Sequence, residues 1–372
     1  MEPIRILILL GEPISSGGQE KFLINMLSNF ERDKVNFDIF TPYGATDKAN
    51  TEKLLSLGAR IFEEHYSCTE NKNANFKKAV TKFFSCHSYP IVHIHSGSTY
   101  ALMTGSKIAR KSGAKRVIVH SHCGGFANLK YRVIKAISFF PLLRYPTDYF
   151  ACSALAADWK FPKPIIKQKK YRIINNAIDL SKMNYSPALR EETRRELGFR
   201  DEFVIGHVGR FTVQKNHEFL IDIFASIAKK REDARLVLVG SGALKDKILE
   251  KVNALGLTDK VLYLGLRTDI AALMNAFDVF VLPSFFEGLP IVGVEAQATG
   301  LPIVTSTGVT RELPIEDLAE YIPLSAGADV WADKILDLPR EPRRDTAEEM
   351  TQAGYELKSA ALRLQKFYEE MA

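Results

Sequence analysis

The sequence predicts an α/β protein made of two doubly wound domains that face each other across a cleft. Three observations predict it. Short apolar strands alternate with amphipathic helical stretches along the chain, the pattern of helices layered on a mostly parallel sheet. The 372 residues are enough for two cores of ordinary size. The rhythm of strand and helix also stops once and restarts, around the polar stretch "NAIDLSKMNYSPALREETRRELGFRDE".

In the first half the strand candidates are "IRILILL" (4–10), "FDIFTP" (37–42), "IVHIHS" (91–96), "KRVIVHSH" (115–122) and "YFACS" (149–153). The second half continues with "FVIGHVG" (203–209), "RLVLVG" (235–240), "KVLYLG" (260–265), "DVFVLPS" (278–284) and "PIVTS" (302–306). Each is a short apolar run bounded by turn residues, as buried strands are. Helical stretches lie between them at 216–230, 243–255 and 269–276, and 345–370 reads as a helical tail with no strand after it. The boundary is expected within 176–200. Domains are therefore predicted at 1–180 and 181–350, with residues 351–372 as a helix packing back toward the first domain. No tandem repeat or low-complexity tract is visible. In doubly wound sheets ligands bind outside the carboxyl ends of the strands.

Composition narrows the class. With 46% hydrophobic, 25% charged and 10% aromatic residues, the chain reads as a soluble globular protein. No apolar run approaches the roughly 18 to 20 residues of a membrane span. The start, "MEPIRILILLGEP", lacks a basic leader and reads as a first strand, so a cytoplasmic protein is expected. Cys68, Cys86, Cys123 and Cys152 are scattered without a Cys-x-x-Cys pair, which suggests neither a disulfide framework nor a structural zinc site. Charge is uneven. Residues 1–185 carry 27 Lys and Arg against 14 Asp and Glu, leaving 23 against 30 of the chain's 50 and 44 for the rest. A basic half joined to an acidic half suggests an anionic partner for the first, or a solvated surface with a chance imbalance.

The stretch "SFFEGLPIVGVEAQATGLPIV" (284–304) carries two acids, Glu287 and Glu295, in nearly uncharged surroundings. Pro290 suits the first turn of a helix and Gly300 with Pro302 closes it. Glu287 then lies in the loop before the helix and Glu295 in its second turn. Backbone N–H groups from Gly288 and Leu289 to Ile291 would favour a phosphate there. Taken alone, the acids also fit a cap-region acid and a partly buried structural acid. Upstream, "GHVGRFTVQKNH" sets Arg210 and Lys215 after a strand, two cations suited to balancing a departing diphosphate. "LVGSGALKDK" places Gly240 and Gly242 after the next strand, but Lys245 stands where a dinucleotide fingerprint needs its third glycine, which weighs against hydride chemistry. "LLGEPISSGGQEKF" leads through Gly17 and Gly18 into a helix, where a backbone can approach a phosphate or sugar closely, or simply turn tightly.

The succession "GGQEKF", "IINNAIDL", "GHVGRFTVQKNHEFL", "LVGSGALKDKI", "LGLRTDIAALMNAFDVFVLPSFFEGLP" and "VEAQATGLPIV" resembles family 4 glycosyltransferases of the GT-B fold. It is most similar to bacterial enzymes of capsular and exopolysaccharide synthesis. The likeness spans essentially the chain, is most specific over 203–306 and is looser over 1–170. It implies two Rossmann-like domains, the first for a saccharide acceptor and the second for the nucleotide-sugar donor. It implies that Glu287 lies by the donor sugar and that Glu295 holds the ribose hydroxyls. It further implies that Arg210 and Lys215 grip the diphosphate, that Gly17 and Gly18 face the same phosphates, and that His122 lines the sugar site. Ala177 departs from the pattern, replacing a glycine common there, which changes backbone latitude and not chemistry. The resemblance also implies catalysis without a metal or other cofactor.

Two features keep alternatives open. His93 and His95, and His120 and His122, each put two imidazoles on one strand face. Such a group suits zinc, a wall of the acceptor and sugar site, or core packing. Residues 126–150 mix Lys130, Arg132, Lys135 and Arg144 with large apolar residues, as does a helix lying on an anionic membrane or one packed on its own domain. Together these readings predict a retaining, metal-independent glycosyltransferase. It would move a sugar from a UDP-sugar to a saccharide on a polyprenyl diphosphate, in the cytoplasm and peripherally at the inner face of the membrane. No nucleic-acid partner is expected. A UDP-sugar 2-epimerase-like enzyme or a non-catalytic nucleotide-sugar-binding protein is the alternative.

Overall fold

In the computed structural model, which describes residues 3–15, 17–122, 129–339 and 342–371, the chain forms two units, Met1–Ala177 with Glu356–Ala372, and Ile178–Tyr355. Cys123 and residues 126–128 of the basic segment lie outside the described residues, and of Leu129, Lys130 and Arg132 only the backbone is described.

The first unit holds β1 (Ile4–Leu10), β2 (Val35–Thr41), β3 (Arg60–Glu63), β4 (Ile91–Ser96), β5 (Arg116–Ser121), β6 (Asp148–Ala151) and β7 (Arg172–Ile173). They form a parallel sheet in the order β3-β2-β1-β4-β5-β6-β7. The second holds β8 (Phe203–Val208), β9 (Ala234–Val239), β10 (Val261–Tyr263), β11 (Val279–Leu282), β12 (Ile303–Ser306) and β13 (Ala319–Ile322). Their order is β10-β9-β8-β11-β12-β13, again all parallel. Each sheet starts in its middle, winds to one edge, then crosses back. The reversal falls between β1 and β4 in one sheet and between β8 and β11 in the other. Loops leave a reversal in opposite directions and open a crevice at the carboxyl ends of its strands.

The central strands are mostly apolar, apart from histidines in β4, β5 and β8, because helices cover both faces. Phe203 to Val208 are all buried. The helix His217–Lys230 repeats Leu220, Phe224 and Ile227 on one face and buries them in a core shared with Leu236, Val281 and Trp331. Each such side chain contributes roughly 1.5–3 kcal/mol on burial. Trp331 Nε1 donates to Pro323 O at 3.1 Å, so its one polar group is satisfied inside that core.

Three strands escape the sequence reading: β3, β7 and β13, each at a sheet edge. Edge strands bury less and need fewer apolar residues; both residues of β7 are exposed. The stretch 176–200 begins at the boundary between the units, Ala177 to Ile178. It contains the helix Pro187–Glu196, whose Ser186 Oγ caps Leu189 N. Arg190 and Arg194, one turn apart, donate to Ala276 O and pair with Asp278 at 2.5 and 3.3 Å. The tail is two helices, Ala347–Gln352 and Leu357–Met371, separated around Gly354, which has φ 84°. The second helix packs on the first unit: Gln365 Oε1 accepts from Glu31 N at 2.7 Å and Phe367 meets Phe150 with ring centroids 4.9 Å apart. Ala177 is buried and outside the left-handed region, so its Cβ is accommodated without strain.

Within the basic segment the helix is Leu129–Arg144, and β6 follows. Its outer face is apolar: Val133, Ile137 and Phe140 are 50, 63 and 75% exposed. Lys135 reaches away to donate to Asp158 O at 2.9 Å. None of the described helices is long and apolar enough to cross a membrane.

Candidate active site

In the second unit the loops leaving β8 and β11 meet at the reversal of strand order. Phe285 N donates to Gln214 O at 2.9 Å and Gln214 Nε2 to Phe286 O at 3.0 Å. These bonds clamp the loops so that Lys215 Nζ lies 2.7 Å from Glu287 Oε1, which also accepts from Ser284 Oγ at 3.2 Å. The paired side chains are only 16 and 10% exposed. Removing either partner would strand a mostly desolvated charge, which is strongly destabilising. An ammonium has three protons and this bond uses one, leaving donors for a second anion. Arg210, five residues earlier, is exposed and its guanidinium has no partner among the described residues.

The floor of this site went unread in the sequence. His207 Nδ1 bonds Val281 O at 2.8 Å, and His217 stacks on Phe211 with centroids 4.0 Å apart. Burial pushes His207 down to about 4 and His217 down to about 2, and the nearby Lys215 ammonium lowers both further. Both are thus neutral at pH 7 and leave the charge of Lys215 to its acid and to a ligand. A histidine inside the apolar run "FVIGHVG" was the available signal.

Gly240 and Gly242 have a structural reason to be glycine. Their φ values are 131 and 153°, and a Cβ would stand 2.1 Å from Gly209 O and 2.6 Å from Phe211 O. They let the loop after β9 lie against the loop that carries Arg210, with Phe211 N donating to Ser241 O at 2.9 Å. The helix Ile291–Ala298 begins after Pro290, with Gly288 and Leu289 buried in the loop before it and Glu295, 1% exposed, in its second turn.

In the first unit Gly17 caps the helix Gly18–Leu27 without a side-chain bond, leaving backbone donors at its start. Phe22 from this helix packs edge-on against His122, centroids 5.3 Å apart. His122 stacks on His120 at 4.1 Å, and His95 Nδ1 lies 2.8 Å from His122 Nε2. His93 Nδ1 bonds Tyr368 OH at 2.6 Å. Burial keeps His93, His95 and His120 well below the ordinary imidazole range and pushes His122 down to about 3. Ligand atoms of His93, His95 and His120 lie within 4.8 Å of one another. The rings of His93 and His120 lie nearly parallel, with 6° between their planes and centroids 5.2 Å apart. Glu12, also missed in the sequence, sits after β1. It accepts from Ser96 Oγ at 3.1 Å, Lys72 Nζ lies 3.7 Å away, and burial raises its carboxyl above the ordinary range.

The second unit thus offers two cations and an acid where strand order reverses, a set able to hold an anionic leaving group beside developing positive charge. Residues 202–340 match the family described as glycosyl transferases group 1. Over 351 residues the chain is 31% identical to the putative glycosyltransferase EpsF of Bacillus subtilis, covering 92% of this chain and 91% of that protein. The chain belongs to the group 1 glycosyltransferases. This glycosyltransferase is also 31% identical, over 60% of its length and 59% of the other's, to an Escherichia coli UDP-Gal:α-D-GlcNAc-diphosphoundecaprenol α-1,3-galactosyltransferase. In fold it resembles HepE of Anabaena, solved in complex with UDP, with a TM-score of 0.70 and 21% identity, covering 98 and 95% of the two chains.

Proposed function

We propose that this glycosyltransferase moves a sugar from a UDP-sugar to a saccharide carried on a polyprenyl diphosphate, with retention of anomeric configuration and without a metal. The observation that carries the reading is the Lys215–Glu287 pair at the reversal point of the donor sheet, with the exposed Arg210 in the same loop as Lys215 and without a side-chain partner among the described residues. Arg210 and the spare donors of Lys215 receive the diphosphate, in the role a divalent ion would otherwise fill. Gly288, Leu289 and the helix start after them lie by the phosphates and sugar, and Glu295 binds the ribose. In the first unit Gly17 and Gly18 offer backbone donors to a phosphate, and His122 lines the sugar.

As the bond from the anomeric carbon to the diphosphate breaks, positive charge grows on the sugar and Glu287 faces it. The acceptor hydroxyl forms its new bond on the same face and its proton passes to the departing diphosphate. Support for UDP and for a lipid-linked acceptor comes from the relatives: HepE is known with UDP and with UDP-glucose, and the E. coli relative acts on a diphosphoundecaprenol substrate. The apolar face of Leu129–Arg144, beside a groove of about 470 Å³ lined by Lys135, Lys160, Lys163, Phe139 and Phe161, suits contact with an anionic membrane.

The test supplies UDP-sugars with and without a polyprenyl diphosphate saccharide, in excess EDTA, and follows UDP release and product anomer. Acceptor-dependent release with the donor's anomeric configuration is expected. Release of free sugar or an epimer without acceptor, or complete loss of activity in EDTA, would overturn the reading.

A further inference from the structure

His122 is held on three sides: by the edge of Phe22, by the face of His120, and by the 2.8 Å bond between its Nε2 and His95 Nδ1. One of those two nitrogens carries the shared proton, and the rest of the cluster decides which. His95 is 1% exposed, and its other nitrogen, Nε2, is buried with no partner. A neutral imidazole has one N–H. Were His122 the donor, the proton of His95 would sit on Nε2 as a buried N–H without an acceptor, a second one beside His120, both of whose ring nitrogens lack a partner among the described residues. With His95 as donor, Nε2 is a bare lone pair, and the only polar hydrogen of the ring is used. The proton of His122 is then on Nδ1, which has no partner among the described residues.

We infer that His95 is a positioning residue for His122, donating Nδ1–H to His122 Nε2 so that His122 presents a neutral Nδ1–H donor to an oxygen of the sugar nucleotide. The inference rests on the reading that His122 lines the sugar site. It excludes His122 Nδ1 as a proton acceptor and gives the sequence pair "HIH" and "HSH" a division of labour. His95 sets the tautomer, His120 sets the ring plane, and His122 meets the ligand.

Ring ¹⁵N spectra of the free enzyme test the tautomer without any substrate. His122 should be protonated at Nδ1 and bare at Nε2. His95→Leu should shift it toward the Nε2–H form, while His95→Asn, whose side-chain amide places an N–H near the position of Nδ1, should keep the original form. Kinetically, His95→Leu should lower kcat on the order of tenfold or more, as a wrong tautomer does, with KM for the UDP-sugar little changed. His95→Asn should recover most of that loss, and His95→Leu should add nothing to His122→Ala. A wild-type His122 protonated at Nε2, or a spectrum unchanged in a folded His95→Leu, overturns the tautomer assignment. Losses that multiply in the double variant overturn the positioning role. Full turnover in His122→Ala would instead sink the sugar-site reading, with the spectra unaffected.

Discussion

The two sheets share a winding order, yet the loops after β8 and β11 carry different chemistry from the ends of β4 and β5. At the β8–β11 reversal the loops present fixed charges, the Lys215–Glu287 pair and Arg210. Beside β4 and β5 the first unit presents neutral imidazoles, which burial holds far below their ordinary range. The same topology therefore supplies a place and not a chemistry. A charged edge suits a diphosphate whose charge rises on departure. A neutral edge suits hydroxyls, which need directed hydrogen bonds and no counter-charge.

The largest effect that would break this contrast is at Lys215. Lys215→Ala should lower kcat/KM by about 10²–10³-fold, as loss of a preorganised charge does, and should also lower stability because Glu287 is left mostly buried and unpaired. Adding Glu287→Gln should return much of the stability and none of the turnover. Near-native activity in a folded Lys215→Ala would remove the charged edge from the mechanism.

A finer cut separates the two acids. Contacts made equally in ground and transition states act on KM, and contacts that strengthen in the transition state act on kcat. Glu295→Gln should weaken UDP affinity more than turnover. Glu287→Gln should lower turnover more than UDP affinity, although its bond to Lys215 makes the separation less clean than the sequence alone suggests. UDP titration and kcat for both variants decide it; a reversed pattern sinks the assignment.

The smallest effect sharpens the neutral side. Each buried histidine has a folded pKa below its unfolded value near 6.5, so below that pH the unfolded chain binds more protons and stability falls as pH drops. The loss continues until the folded pKa is reached, about 3 for His122 and about 4 for His207. Each contributes up to about 1.4 kcal/mol per pH unit in that window. The first unit has His93, His95, His120 and His122 against His207 and His217 in the second, so it should lose stability faster between pH 6.5 and 5. Hydrogen exchange resolved by unit would show this, and equal slopes would contradict it.

Read alone, the sequence determined the layered α/β class, the central strands, the loop before Ile291–Ala298, and which residues stand at strand ends. These follow from apolar periodicity and from Gly and Pro, signals carried by residues a few positions apart. The edge strands β3, β7 and β13 were illegible, and only β10 among the edges was read, because half-buried backbone needs little apolar signal. Only the tertiary structure decided that Gln214 meets Phe286 across 72 positions, which joins Lys215 to Glu287, and that Tyr368 reaches His93 across 275. Pairing of this kind is set by strand order and crossover, which bring distant loops together once the cores have formed. It turned two acids that look alike in the sequence into a buried residue on a helix and the partner of a lysine.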